Sequence, residues 1–159
     1  MFNHKQNLLN RLKPQIQQIL DSENPKSIKL QNICDLLYQQ IPYYNWVGFY
    51  FAQPGEKKLY LQQYAGKPTE HTVIPFGKGI CGQVAVTNQN FVVPDVQAQD
   101  NYIACSIEVK SEIVIPLFFK GENIGQIDID SHSPNAFSEE DEAFLTWLNQ
   151  QISQKVFSK

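Results

Sequence analysis

Residues 44–51, Tyr44-Asn-Trp-Val-Gly-Phe-Tyr-Phe51, decide the fold. Val47, Phe49 and Phe51 alternate with Trp46, Gly48 and Tyr50. A period of two with large side chains on both faces predicts a strand. Pro54-Gly55 is a turn signal, and Lys58–Tyr64 returns as the second arm of a hairpin. Further strands are predicted at His71–Pro75, Phe91–Val93 and Glu112–Phe119, the last joined through Gly121 to Ile124–Asp130 as a second hairpin. Before these strands the period is helical. Leu8, Leu9, Leu12, Ile16, Ile19 and Leu20 mark one helix, which Pro14 is expected to kink or divide. Asn24-Pro25 breaks the chain, Ser27 is the expected N-cap of a second helix, and Leu30, Ile33, Cys34 and Leu37 form its apolar stripe. Cys34 therefore reads as a small buried hydrophobe. The last helix opens on a capping box, Ser138-Glu-Glu-Asp141, and buries Phe144, Leu145, Leu148, Ile152 and Val156. Helices at both ends of mostly antiparallel strands indicate an α+β domain whose sheet is covered on one side by the terminal helices.

A chain of 159 residues is expected to form one domain, residues 1–159. Thirteen basic and sixteen acidic residues give a net charge of −3, which offers a phosphate backbone no basic track and excludes nucleic acid as a first partner. No apolar run reaches the ~18 residues of a membrane span, and the N-terminus is too polar for a secretory signal. Three cysteines are an odd number at no zinc-like spacing, so a reduced, cytoplasmic setting is expected. His4, His71 and His132 share no metal-ligand spacing, and no metal site is expected.

Three stretches carry possible chemistry. Phe76-Gly-Lys-Gly-Ile-Cys-Gly82 lies where a strand should end and a short helix, Gly82–Thr87, should begin. It matches neither a Walker loop nor a dinucleotide fingerprint, and is either a simple turn or an anion cradle. Cys81, at that helix start, is expected to have its thiolate favoured. Residues 95–111 hold no sustained period, and such loops are often functional. This one contains Cys105, whose acidic neighbours Glu108 and Glu112 would raise its pKa unless a positive or hydrogen-bonding partner is supplied. Asp128 and Asp130 alternate with Ile127 and Ile129, so both carboxylates share one strand face that is either solvated or lines a pocket.

Taken together, NWVGFY (45–50), IPFGKGICG (74–82), VVPDV (92–96), IAC (103–105), SEIVIPL (111–117) and IGQIDIDS (124–131) closely resemble the GAF-domain free methionine-(R)-sulfoxide reductases. The motifs occur in family order from about residue 43 to 141. The resemblance implies a six-stranded antiparallel sheet with N- and C-terminal helices on one face and a loop-closed ligand pocket on the other. It assigns the nucleophile to Cys105 and places Glu112, Asp128, Asp130, Trp46, Tyr50 and Cys81 in the site. The family often carries a further cysteine ten positions before Cys81, where this chain has His71. Where the family tends to read P-G-H-I-A-C-D, this chain has Tyr102 before Ile103-Ala-Cys105 and Ser106 after it.

The implied activity is reduction of free L-methionine-(R)-S-oxide. A thiolate attacks the sulfoxide sulfur and an acid protonates the departing oxygen, which leaves methionine and a Cys105 sulfenic acid. Glu112 or Asp130 is the expected acid, and a remaining carboxylate such as Asp128 binds the substrate ammonium. Trp46 walls the S-methyl group. Backbone N–H groups of the glycine stretch, or of the Ile103-Ala104 segment, hold the substrate carboxylate. His71 is expected to lower the Cys105 pKa, and Cys81 or an external thiol to resolve the sulfenic acid. No bound cofactor is implied, and thioredoxin is the external reductant. A homodimer is compatible with the sequence. Competing expectations are a non-catalytic GAF sensor for a small ligand, or a degenerate reductase retained as a structural homodimer. The N-K-x-D-E-type motif of cyclic-nucleotide-binding GAF domains is absent.

Overall fold

The computed structural model of the protein describes residues 4–53, 55–99 and 108–157. The apolar alternation at its centre becomes β1 (Trp46–Gln53), which pairs antiparallel with β2 (Lys58–Ala65), Gln53 lying opposite Lys58. β3 (Val73–Pro75) continues the sheet beyond β2, while β4 (Phe91–Val93), β5 (Ser111–Phe119) and β6 (Glu122–Ser131) complete its other half. Among the described residues, six strands form one antiparallel sheet in the order β3-β2-β1-β6-β5-β4.

Side-chain alternation divides the sheet into two chemically different faces. Val47 and Phe49 of β1 and Ile127 and Ile129 of β6 enter a core with α1 (His4–Asp21), α2 (Lys26–Gln40) and α4 (Glu139–Val156). Trp46, Tyr50, Val93 and Val114 enter a second core with Ile80 and Val84 of α3 (Gly79–Thr87) on the opposite face. The N- and C-terminal helices thus cover one face, as expected, and α3 sits on the other. No helix among the described residues is long and apolar enough to cross a membrane.

Asp141 joins the elements of the helical layer. It is fully buried, and its carboxylate accepts from Lys5 Nζ at 2.8 Å, Tyr43 at 2.7 Å and Tyr44 at 2.8 Å. It also accepts from the Ser138 N–H at 2.9 Å, which completes the predicted capping box.

Four local expectations are corrected. Pro14 does not divide the first helix, because it lies on the exposed face where water can solvate the carbonyl it leaves without a partner. Ser27 is not the N-cap of α2. Pro25 takes that place, with its carbonyl accepting from Ile28 and Lys29 at 3.0 Å each. β3 begins at Val73 rather than His71, because the His71 N–H turns to Thr69 Oγ1 and the Thr72 N–H to the Glu70 carbonyl. Finally, α3 begins at Gly79 and not Gly82, so Cys81 lies inside the helix. Positive φ at Gly77 (89°) and Gly79 (62°) lets the chain turn directly from β3 into the helix. A Cβ on Gly82 would sit 2.6 Å from the Pro75 carbonyl oxygen, so only glycine permits this approach.

Candidate functional site

The register of three strands lines up a row of side chains on the α3 face. Trp46 lies opposite Asp130, and Asp130 opposite Glu112; one step along, Gly48 lies opposite Asp128. Glu112, Asp128 and Asp130 are only 5%, 2% and 1% exposed, which excludes the solvated face for the two aspartates. Like charges placed directly across neighbouring strands repel, and burial removes the water that would screen them. Neither Asp130 oxygen, nor Asp128 Oδ1, has a hydrogen-bond partner. Burial first, and then the charge of Asp128, push the Asp130 pKa well above the usual carboxylate range, with the nearby Glu112 carboxyl pulling weakly the other way. Burial also raises Asp128, partly offset by its contacts with Glu112 and the Cys81 thiol. The row favours carboxyl protons held at neutral pH.

Cys81 faces this row from α3. Its Sγ and one carboxylate oxygen each of Glu112 and Asp128 lie within 4.8 Å of one another, all three residues buried. Gln126, two positions before Asp128 on the same face of β6, donates from Nε2 to the Cys81 carbonyl at 3.1 Å and anchors this turn of helix. The expected thiolate is overturned. Burial, followed by the charges of Asp128 and Glu112, pushes the Cys81 thiol well up, outweighing anything the start of so short a helix can offer. The glycine motif is likewise a turn: its N–H groups at Gly77, Lys78 and Gly82 donate to the carbonyls of Gly82, Pro75 and Lys78.

Two hollows flank the acids. One of about 20 Å³ is bordered by Tyr50, His71, Ile80, Cys81, Glu112 and Asp128. The Tyr50 hydroxyl is committed there, donating to the His71 carbonyl at 2.8 Å. The other, about 110 Å³, is bordered by Tyr38, Asn45, Trp46, Lys67, Asp130 and His132 among others, with His132 Nε2 3.6 Å from Glu108 Oε2. Trp46 is held rigidly between its neighbours. Its ring stacks on Tyr64 with centroids 5.8 Å apart, Nε1 donates to the Lys67 carbonyl at 3.0 Å, and the indole lies flat over Gly48, where a Cβ would collide with it. A larger groove of about 450 Å³ between β5 and α4 has Lys120 as the one ionisable side chain on its wall and no thiol, so it offers little chemistry.

The structure thus brings Trp46, Tyr50, His71, Cys81, Glu112, Asp128 and Asp130 to one face of the sheet. Cys105, with Tyr102, Ile103, Ala104 and Ser106, lies outside the described residues. Cys34 is buried in the helix-side core, where desolvation raises its pKa, as a packing role requires. Sequence reasoning passed over Gln126, although its i−2 spacing from Asp128 signals the same face. It also passed over Gly48, whose role depends on the rotamer of a neighbour.

Residues 29–156 match the GAF domain family. The chain is 39% identical over 144 residues to GAF domain-containing protein A of Dictyostelium discoideum, covering 91% of this chain and 89% of that protein. It is 39% identical over 123 residues to the free methionine-R-sulfoxide reductase of Escherichia coli, covering 77% of this chain and 73% of that enzyme. In structure it superposes on the free methionine-R-sulfoxide reductase of Neisseria meningitidis, solved in complex with its substrate. The TM-score is 0.92 at 34% identity, over 99% of this chain and 93% of the other.

Proposed function

The chain belongs to the GAF domain family, and we propose that it is a reductase of free methionine-R-sulfoxide. One observation carries this: a desolvated carboxyl row set directly against a rigid indole, in a chain whose relatives include reductases of that name. A desolvated acid that keeps its proton is what a departing sulfoxide oxygen requires. A flat apolar ring beside it suits an S-methyl group.

In this reaction the Cys105 thiolate attacks the sulfoxide sulfur, the S–O bond breaks, and Glu112 and Asp130 supply the proton that the oxygen needs. Two electrons pass from Cys105 to the substrate sulfur, leaving methionine and Cys105 sulfenic acid. Asp128 pairs with the substrate ammonium, and backbone N–H groups of Ile103 and Ala104 take its carboxylate. Reducing equivalents come from thiols, so no bound cofactor is called for. Cys81 is a poor resolving thiol, because it is buried, protonated and turned toward Asp128. The sulfenic acid therefore condenses with a thiol of an external reductant of the thioredoxin class, releasing water, and a second thiol of that reductant frees Cys105. His71, on the same hollow as Cys81, favours the Cys105 thiolate.

Thioredoxin-coupled turnover tests the proposal. The R epimer of free methionine sulfoxide should be reduced, with the S epimer and peptide-bound sulfoxide turned over weakly. Cys105→Ser should abolish turnover while Cys34→Ser leaves it near wild type. Wild-type activity in Cys105→Ser would overturn the mechanism.

A further inference from the structure

Cys81, Glu112 and Asp128 combine three features that the reductase chemistry leaves unused. They form a convergent set of one sulfur and two oxygen donors, drawn from α3, β5 and β6, with the three atoms within 4.8 Å of one another. The set is buried among groups that can only become more negative. Beside it Asp130, 1% exposed and directly opposite Glu112, leaves both carboxylate oxygens without a partner, and Asp128 leaves Oδ1 so. Buried acceptors without donors are costly, and a cation is what would satisfy them.

We propose that this cluster binds one borderline-soft divalent cation of the Zn²⁺ class, through Cys81 Sγ and one oxygen each of Glu112 and Asp128, with a fourth position left to water. Zinc accepts mixed sulfur and oxygen ligands in a tetrahedron and tolerates an open fourth place. Zn–S and Zn–O bonds of about 2.3 and 2.0 Å put ligand atoms about 3.5 Å apart, so the three side chains need draw in by roughly 1 Å from their 4.8 Å envelope. The strands fix the two carboxylates, and Gln126 fixes the Cys81 backbone. A hard cation such as Mg²⁺ is disfavoured by the thiol and by the small hollow of about 20 Å³, which has no room for several retained waters. Binding displaces the Cys81 proton to solvent, and the metal charge removes the repulsion that keeps that proton in place. Because the cation takes Glu112 and Asp128, it excludes the sulfoxide and inhibits competitively. That inhibition rests on the reductase proposal, whereas the binding does not.

The test uses metal-free full-length protein and the metals alone. Titration with Zn²⁺ against a chromophoric chelator should give one high-affinity site per chain. Co²⁺ should produce the intense near-ultraviolet sulfur-to-cobalt charge-transfer band of a single thiolate ligand. Cys81→Ser should abolish the band and weaken Zn²⁺ by at least about tenfold, while Cys105→Ser and Cys34→Ser keep both. If Cys81→Ser fails to fold, alkylation of the folded wild type decides: bound Zn²⁺ should protect Cys81 and leave Cys105 reactive. A wild type that gives no cobalt band, a band lost in Cys105→Ser, or an unprotected Cys81 would each overturn the site. Metal binding that persists in a protein with no sulfoxide reductase activity would instead refute the proposed function and leave the metal site standing.

Discussion

At the scale of a residue, Asp130 places function against stability. Its carboxyl is buried with no hydrogen-bond partner, opposite Glu112 and beside Asp128. Asp130→Asn should lower kcat/KM by about 10²–10⁴-fold, the usual range for a proton donor. The same change should leave the protein as stable as wild type, or more stable by about 1–2 kcal/mol near neutral pH, because it removes a buried potential charge. The pH dependence has a definite sign. The folded-state pKa of Asp130 is raised above its unfolded value. The stability it contributes is therefore fully present below the unfolded pKa of about 3.9 and is lost as pH rises through the folded value. The variant should gain on wild type between about pH 4 and pH 7. Denaturant unfolding at both ends, with chelator present, checks this; an equal gap at the two pH values would contradict it.

At the scale of an element, α1 carries an avoidable cost. Pro14 stands in its interior, exposed, with no N–H to offer the preceding turn. Pro14→Ala should restore that hydrogen bond and raise stability by about 1–2 kcal/mol, after allowing for the looser unfolded chain. Activity should not change, since α1 packs on the face away from the acids; unfolding curves with parallel kinetics suffice to check both. The elements themselves were legible because period two and period 3.6 leave different marks, as at 46–51 and 144–152. Their ends were less so. Whether a helix starts at Gly79 or Gly82, or a strand at His71 or Val73, depends on where single N–H groups turn, as with His71 to Thr69 Oγ1. The alternation Ile-Asp-Ile-Asp put both carboxylates on one face but was silent on what covers it. Burial by α3 is a tertiary fact, and so is the raised pKa of Cys81, which its position near a helix start had pointed the other way.

At the scale of the molecule, the sheet separates a layer that holds the fold from a layer that does chemistry. Asp141 ties α1, the entry to β1 and α4 together from the first layer alone. Asp141→Ala should cost about 3–5 kcal/mol, as expected when a buried charge network loses its centre. Measured per folded molecule, kcat/KM should stay within a few-fold of wild type. Thermal unfolding and activity at low temperature separate the two effects; a catalytic loss as large as that of Asp130→Asn would show that the layers are coupled.

The indole pinned over Gly48 makes the protein its own optical probe. The sequence holds two tryptophans. Trp147 belongs to α4, stacked on Phe144 and packed against the helix-side core. Trp46 borders the hollow beside Asp130, held by Tyr64 and the Lys67 carbonyl. In a Trp147→Phe background every emitted photon comes from the chemical face. Its ring cannot reorient, so intensity and wavelength follow the polarity of that hollow rather than side-chain motion. Titrating free methionine sulfoxide should shift the emission saturably. Binding can then be followed by light alone, with no label and no turnover, even in the inert Cys105→Ser variant.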